Sequence, residues 1–368
     1  MRVLITGGGT AGHINPALAI AAKIRREQPD AEILFVGAEG RMETRLVPAA
    51  GYDLVTMRVQ GFQRKLTLKN VGRNIKAVWL VATAGSTCAK IIRDFAPDVA
   101  IGTGGYVCGP VLRKAAKMGV PVLVHESNAF PGVTVKMLAK YATVLLADEQ
   151  AEKYLPAGTR TIVTGNPLRP GFSNVDRDVA RRELGLDERP FVLSFGGSLG
   201  AKRINETMLG VLDRSSAAGT LQHMHATGQN GYDAFCRAAD ERGIGSDGIT
   251  VRAYIDDMPR CMAASDVVIC RCGAMTLSEL PALGKPAILI PSPYVAENHQ
   301  YHNAMALVRR GAAVCIEEKD LTEETLWQAV RDLTADPKRL RAMAEASAAA
   351  AVPDAADRIY AAVKAALR

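Results

Sequence analysis

Residues 2–13 read Arg2-Val3-Leu4-Ile5-Thr6-Gly7-Gly8-Gly9-Thr10-Ala11-Gly12-His13. A short apolar run of β-branched character reads as a buried strand. It passes into glycines 7, 9 and 12, and the helical pattern of residues 17–28 follows. Strand, glycine-rich loop, then helix is the opening of a nucleotide-type βαβ unit. Glycine lets backbone approach a phosphate, and the helix N-terminus offers unpaired N–H groups and positive potential. A dinucleotide site would next want an acidic residue closing the second strand. Here that strand runs into Gly37-Ala38-Glu39, an imperfect fit.

The pattern restarts once. Phe191-Val192-Leu193-Ser194-Phe195 leads into Gly196-Gly197-Ser198-Leu199-Gly200-Ala201-Lys202, adding a hydroxyl and a lysine. The order differs from Gly-x-x-x-x-Gly-Lys-Ser/Thr, which argues against a P-loop ATPase. Around these openings the chain alternates apolar runs with helical patterns, the signature of parallel-sheet α/β domains. Strands are expected at 2–6, 32–36, 99–102, 122–125 and 143–147, with a helix at 109–117. The second half adds 191–195, 222–227, 249–252, 267–270, 287–290 and 313–316. Gly165-Asn166-Pro167 punctuates a strand end and marks the boundary. The expected domains are 1–164 and 165–352, with an alanine-rich terminal helix after Pro353 whose helical spacing fits packing on either domain.

The 368 residues suit two domains, and 48% hydrophobic with 23% charged residues is a globular composition. The net charge of +7 offers a basic surface, which nucleic acid, anionic lipid or a phosphorylated substrate would each fit. Seven scattered cysteines fit reduced buried thiols better than a disulfide framework, and no metal set emerges from their spacing. The opening carries no signal-peptide pattern, and no apolar stretch reaches bilayer-spanning length.

Polar clusters follow several strands, where open α/β sheets place ligands. They are Gly104-Gly105-Tyr106, His125-Glu126-Ser127-Asn128, Arg271-Cys272-Gly273-Ala274 with Met275-Thr276-Leu277-Ser278-Glu279, and the segment around Gln300. His13 and Glu126 are the candidate acid–base groups, since an imidazole or a tuned carboxylate takes a proton near neutral pH. Between residues 64 and 84, Lys65, Lys69, Arg73 and Lys76 alternate with Leu68, Val71, Ile75, Val78 and Trp79. That mixture fits an interfacial helix on anionic lipid or an amphipathic helix with a solvated charged face.

Taken in order, these motifs resemble those of the MurG family. The match runs through Gly8-Gly9-Thr10-Ala11-Gly12-His13, Gly104-Gly105-Tyr106, His125-Glu126-Ser127-Asn128, Gly165-Asn166-Pro167-Leu168-Arg169 and Gly196-Gly197-Ser198-Leu199-Gly200-Ala201. It continues in Tyr254-Ile255-Asp256-Asp257-Met258, Ala274-Met275-Thr276-Leu277-Ser278-Glu279 and Gln300-Tyr301-His302-Asn303-Ala304. The resemblance implies a GT-B fold, two Rossmann-like α/β domains facing across a cleft, with the terminal helix completing the first domain. It implies an inverting transfer of GlcNAc from UDP-GlcNAc to the C4 hydroxyl of MurNAc in lipid I, giving lipid II for peptidoglycan, cell shape and division.

By position, the resemblance gives UDP-GlcNAc binding to Thr10, Ala11, Gly12, Asn128, Arg169, Ser198, Ile255, Ala274, Met275, Thr276, Leu277, Ser278, Glu279 and Gln300. Glu279 would hold the ribose and Gln300 the sugar hydroxyls. Gly104, Gly105 and Tyr106 fall to the acceptor side, and Lys69, Arg73, Ile75, Lys76 and Trp79 to the membrane-facing segment. The implied partners are UDP-GlcNAc, lipid I, the anionic cytoplasmic membrane surface and other cell-wall synthesis proteins, with no nucleic acid. UDP-GlcNAc is a co-substrate, and no metal or other cofactor is implied. Two other readings stand beside it. Another UDP-sugar transferase or a UDP-GlcNAc epimerase would keep the fold and change the acceptor, and a nucleotide-sensing protein would bind without turnover.

Overall fold

The computed structural model describes residues 1–58, 85–168, 171–172, 175–197 and 199–367. The chain divides into two compact units, Met1–Arg169 with Asp354–Arg368, and Pro170–Pro353.

The first unit is built on β1 (Arg2–Thr6), β2 (Glu32–Ala38), β3 (Asp53–Met57), β4 (Val99–Gly102), β5 (Val122–Glu126), β6 (Thr143–Leu146) and β7 (Thr161–Val163). They form one sheet in the order β3-β2-β1-β4-β5-β6-β7, and every pairing is parallel. Parallel sheets must be covered on both faces. Val3 and Ile5 point to one side and pack with Ile14, Ile20 and Ile24 of the helix Ala11–Glu27. Leu4, Ala100 and Val124 point to the other, against Val111 and Leu112 of the helix Cys108–Lys117.

The terminal helix Ala355–Ala366 closes the first of these faces. Ile359 and Val363 join the cluster of Ile20 and Ile24, and the buried Lys23 bonds both Glu27 and Asp357. The Asp357 contact is the larger cause raising the Lys23 pKa, ahead of Glu27 and against the opposing effect of burial.

The second unit carries β8 (Phe191–Phe195), β9 (Gln222–Ala226), β10 (Ile249–Arg252), β11 (Val267–Cys270), β12 (Ala287–Leu289) and β13 (Ala313–Cys315). Their order is β10-β9-β8-β11-β12-β13, again all parallel. Each sheet reverses its strand order once, between β1 and β4 and between β8 and β11. Open α/β sheets place ligands at such switch points, outside the strand C-termini.

Two differences from the sequence reading have physical causes. The first helix begins at Ala11, six residues before the expected start. Gly12 and Pro16 carry poor helix propensity, but the burial of Ile14, Pro16 and Ala17 against the sheet overrides it. Strand β3 has no expected counterpart. It is an edge strand with Asp53, Val55 and Thr56 exposed, so it lacks the apolar run that betrays the inner strands.

Candidate active site

In the first unit the switch point brings the loops after β1 and β4 against each other. The Gly8 N–H donates to the Gly104 carbonyl at 3.3 Å, and the Thr103 hydroxyl donates to the His13 carbonyl at 2.7 Å. Gly104 and Gly105 have φ of +108° and +89°. A Cβ on Gly104 would stand 2.6 Å from the His13 ring, and one on Gly105 would stand 2.3 Å from the Gly8 carbonyl. Only glycine permits that closeness.

His13 sits in the first turn of the helix Ala11–Glu27, half-buried. Its Nδ1 lies 3.1 Å from the Gly8 carbonyl and 3.2 Å from the Thr10 hydroxyl. A carbonyl can only accept, so the Gly8 contact calls for a proton on Nδ1, which in the neutral imidazole puts the lone pair on Nε2. Thr10 makes no side-chain cap bond, so Thr10, Ala11 and Gly12 present backbone at a helix N-terminus. Tyr106 is 64% exposed beside them.

Glu126 ends β5 and is buried. Its Oε1 accepts from the backbone and side-chain N–H of Asn128, both at 2.9 Å, and its Oε2 accepts from the Gly132 N–H at 2.8 Å. Burial raises its pKa, against those hydrogen bonds, which favour the charged form. Neighbouring His125 is buried, hydrogen-bonds the Gly165 carbonyl, and is held neutral by desolvation with its pKa pushed down to about 4. The Asn166 amide donates to the Ser127 carbonyl at 3.0 Å, tying the loop after β5 to the segment after β7.

The second unit holds a cavity of about 720 Å³ at its own switch point. Its walls include Gly196, Gly197 and Gly200, then Arg271, Thr276 and Gln300. Gly200 has φ +77°, and a Cβ there would stand 2.0 Å from the Thr227 carbonyl, so the loop can turn here only as glycine. The helix Lys202–Ala218 starts directly after the loop, its N-terminus at the cavity edge.

Gln300 is oriented by backbone. Its Oε1 accepts from Ser292 N–H at 2.8 Å and Cys272 N–H at 3.3 Å. Those two donors decide which end of the amide is oxygen and leave Nε2 as the end that can donate to a ligand. Beside it, Arg271 pairs with Glu318 and also donates to the Ile290 and Pro291 carbonyls. Arg271 and Glu318 side chains are only 13% and 12% exposed, so the pair is largely desolvated.

The structure therefore gathers Thr10, Ala11, Gly12, His13, Gly104 and Gly105 in one place. Glu126 and Asn128 form their own cluster on the next strand. Thr276 and Gln300 line the second unit's cavity. Ile255, Met275, Leu277 and Glu279 are buried, at 3%, 8%, 8% and 3% exposure, while Ala274 and Ser278 are half-buried. None of these six is among the residues lining that cavity. Arg169, Ser198, Lys69, Arg73, Ile75, Lys76 and Trp79 lie outside the described residues.

Sequence reasoning missed Glu318 and Glu43. Glu318 is one of many surface-like acids until the fold pairs it with Arg271. Glu43 looks like an ordinary first-turn acid, because the glycine loop it supports lies 34 residues away.

Two parallel-sheet units, each with a glycine loop at its switch point, are the two Rossmann-like halves of a GT-B fold. Residues 3–146 match the glycosyltransferase family 28 N-terminal domain, and residues 191–359 match its C-terminal domain. The UDP-N-acetylglucosamine–N-acetylmuramyl-(pentapeptide) pyrophosphoryl-undecaprenol N-acetylglucosamine transferase of Acetivibrio thermocellus is 45% identical over 366 residues, covering 99% of this chain and 98% of that protein. The protein of the same name from Caldanaerobacter subterraneus subsp. tengcongensis is 43% identical, with 99% of each chain covered. The crystal structure of Acinetobacter baumannii MurG superposes with a TM-score of 0.80 at 28% identity, covering 99% of both chains. The chain belongs to glycosyltransferase family 28 and, within it, to the MurG family.

Proposed function

We propose that this chain works as a membrane-surface enzyme in which the second unit holds the donor and His13 activates the acceptor. The activity is that of a UDP-GlcNAc-dependent N-acetylglucosaminyltransferase, which converts lipid I to lipid II with inversion. The C4 hydroxyl oxygen of MurNAc attacks the anomeric carbon of GlcNAc from the face opposite UDP. The bond from that carbon to the diphosphate oxygen breaks, its electron pair leaving with UDP, and the hydroxyl proton passes to a base.

His13 suits that base because its Nδ1 proton is committed to the Gly8 carbonyl, which leaves the lone pair on Nε2. The carboxylate of Glu126, bonded through both oxygens to its own loop, suits the ordering of Asn128 and Gly132 rather than proton transfer. The departing diphosphate gains from N–H groups at 196–202 and from the N-terminus of the helix Lys202–Ala218, which stabilise negative charge without reorganising. Gln300 Nε2 then serves the GlcNAc hydroxyls. Thr276 opens the helix that carries the buried Glu279, the residue that the MurG resemblance gives to the ribose.

No helix among the described residues is long and apolar enough to cross a membrane. Peripheral attachment gains support from Val133 and Met137, 51% and 63% exposed one helical turn apart, with Lys136 and Lys140 beside them. Exposed apolar groups with lysines nearby in the chain suit an anionic bilayer surface, where a polyprenyl-linked acceptor resides.

The observation that carries the donor assignment is the cavity formed by the second glycine loop, Thr276 and Gln300. A structure of the UDP-GlcNAc complex tests it. The account expects diphosphate oxygens within about 3.2 Å of N–H groups in residues 196–202. A donor whose diphosphate sits elsewhere overturns it.

A further inference from the structure

Glu43 is fully buried at the start of the helix Glu43–Ala49 and forms no ion pair among the described residues. Its Oε1 accepts from the Ala38 N–H at 2.9 Å, and its Oε2 accepts from the Gly9 N–H at 3.0 Å. The surrounding backbone is cut to fit it. A Cβ on Gly8 would fall 2.1 Å from Glu43 Oε1, and one on Gly37 would fall 2.6 Å from Glu43 Cγ.

The Gly9 N–H and the Gly8 carbonyl are the two ends of a single planar peptide. One end donates to Glu43, while the other accepts from His13 Nδ1 at 3.1 Å. A carboxylate, a peptide and an imidazole are thus hydrogen-bonded in series. Each bond in such a chain polarises the next, so an anion on the N–H end makes the carbonyl a stronger acceptor.

We propose that Glu43 is a positioning residue for catalysis, acting on His13 through the Gly8–Gly9 peptide. It holds the Nδ1–H tautomer, keeps Nε2 as the proton acceptor, and stabilises the imidazolium that forms when the acceptor proton arrives. The logic matches that of the aspartate behind a catalytic histidine, with one peptide inserted between the charges. The same arrangement takes the Gly9 N–H away from any ligand and sets a negative charge behind the loop. The first glycine loop is thereby built to aim His13, leaving phosphate contacts to the helix N-terminus at Thr10, Ala11 and Gly12. The inference rests on His13 being the base.

The test uses Glu43→Gln in the full chain, with kinetics and ¹⁵N imidazole spectra. Glutamine keeps the shape, removes the charge, and must turn an NH2 toward one of the two N–H donors. The expected result is a kcat loss of about 10- to 100-fold, in line with outer carboxylates behind ligating histidines. KM for UDP-GlcNAc should stay within about 2-fold, and the His13 resonances, assigned by their loss in His13→Ala, should move toward mixed tautomers. A kcat within about 2-fold of wild type with unchanged resonances overturns the proposal. Should Glu43→Gln not fold, wild-type spectra decide alone. A Nδ1–H tautomer at His13 upholds the relay, and a Nε2–H tautomer overturns it. Normal turnover in His13→Ala would instead remove the base assignment, an outcome the spectra distinguish from failure of the relay.

Discussion

The Gln300 side-chain oxygen accepts the Ser292 backbone N–H at 2.8 Å, so a loop after β12 sets the orientation of an amide that lines the second unit's cavity. Substituting Gln300→Glu keeps both backbone contacts but replaces the donating Nε2 with a charged oxygen. The expected effect is a rise in KM for UDP-GlcNAc of about 10- to 100-fold, the scale of a hydrogen bond lost with a charge added. Steady-state kinetics over a donor series measures it, and an unchanged KM removes Gln300 from the sugar site.

Replacing His13 with alanine tests the base. A missing general base costs about 10²- to 10⁴-fold in kcat. UDP binds through the second unit in this account, so its Kd by calorimetry should change by less than about 3-fold. A variant that keeps near-normal kcat would exclude His13 from proton transfer.

Acid sensitivity follows from β9. His223 and His225 are buried side by side, with pKa values pushed down to about 3 and about 4 by desolvation, His223 also by His225. Neither ring nitrogen of His223 has a hydrogen-bond partner among the described residues. The folded pKa lies below the unfolded value near 6.5, so this contribution is present above pH 6.5. It is lost as pH falls through the window from 6.5 toward 4 and 3, because the unfolded chain takes up protons that the folded chain refuses. Each histidine supplies a slope of up to about 1.4 kcal/mol per pH unit there. Denaturant melts at pH 7 and pH 5 should show the loss. His223→Leu should reduce it while leaving stability at pH 7 equal or higher. An unaltered slope would mean that His223 is not neutral in the fold.

The terminal helix is part of the first unit's core. Ile359 is 1% exposed against Ile20 and Ile24. Ile359→Ala should cost about 2–5 kcal/mol, the usual range for a buried isoleucine truncated in a packed core. A urea titration followed by a probe in the first unit reads this directly. A loss below about 0.5 kcal/mol would show that the helix is not required there.

Much of this was legible in the sequence because parallel strands buried on both faces must be apolar throughout. Residues 2–6, 99–102, 191–195 and 267–270 coincide with observed strands for that reason. The glycine loops were legible because a close strand-to-helix turn admits little else. What stayed hidden depends on long-range packing. Strand β3 has an edge's mixed polarity, and the first turn of the helix Ala11–Glu27 forms against local propensity. Glu43 acquires its partners only when β1 and β2 pair, and Arg271 meets Glu318 only when residues 47 positions apart are folded together. The basic segment at residues 64–84 lies outside the described residues, and its reading as membrane-facing is an expectation from sequence.

The most direct measurement mixes the purified chain with UDP-GlcNAc and a lipid I analogue in anionic vesicles, following UDP release and the linkage of the product. The account predicts one UDP released per disaccharide formed, with a β1,4 linkage at the MurNAc C4 hydroxyl and no turnover without the acceptor. Retention of the donor's anomeric configuration, no UDP release with the acceptor present, or acceptor-independent conversion of UDP-GlcNAc to its C2 epimer would contradict it.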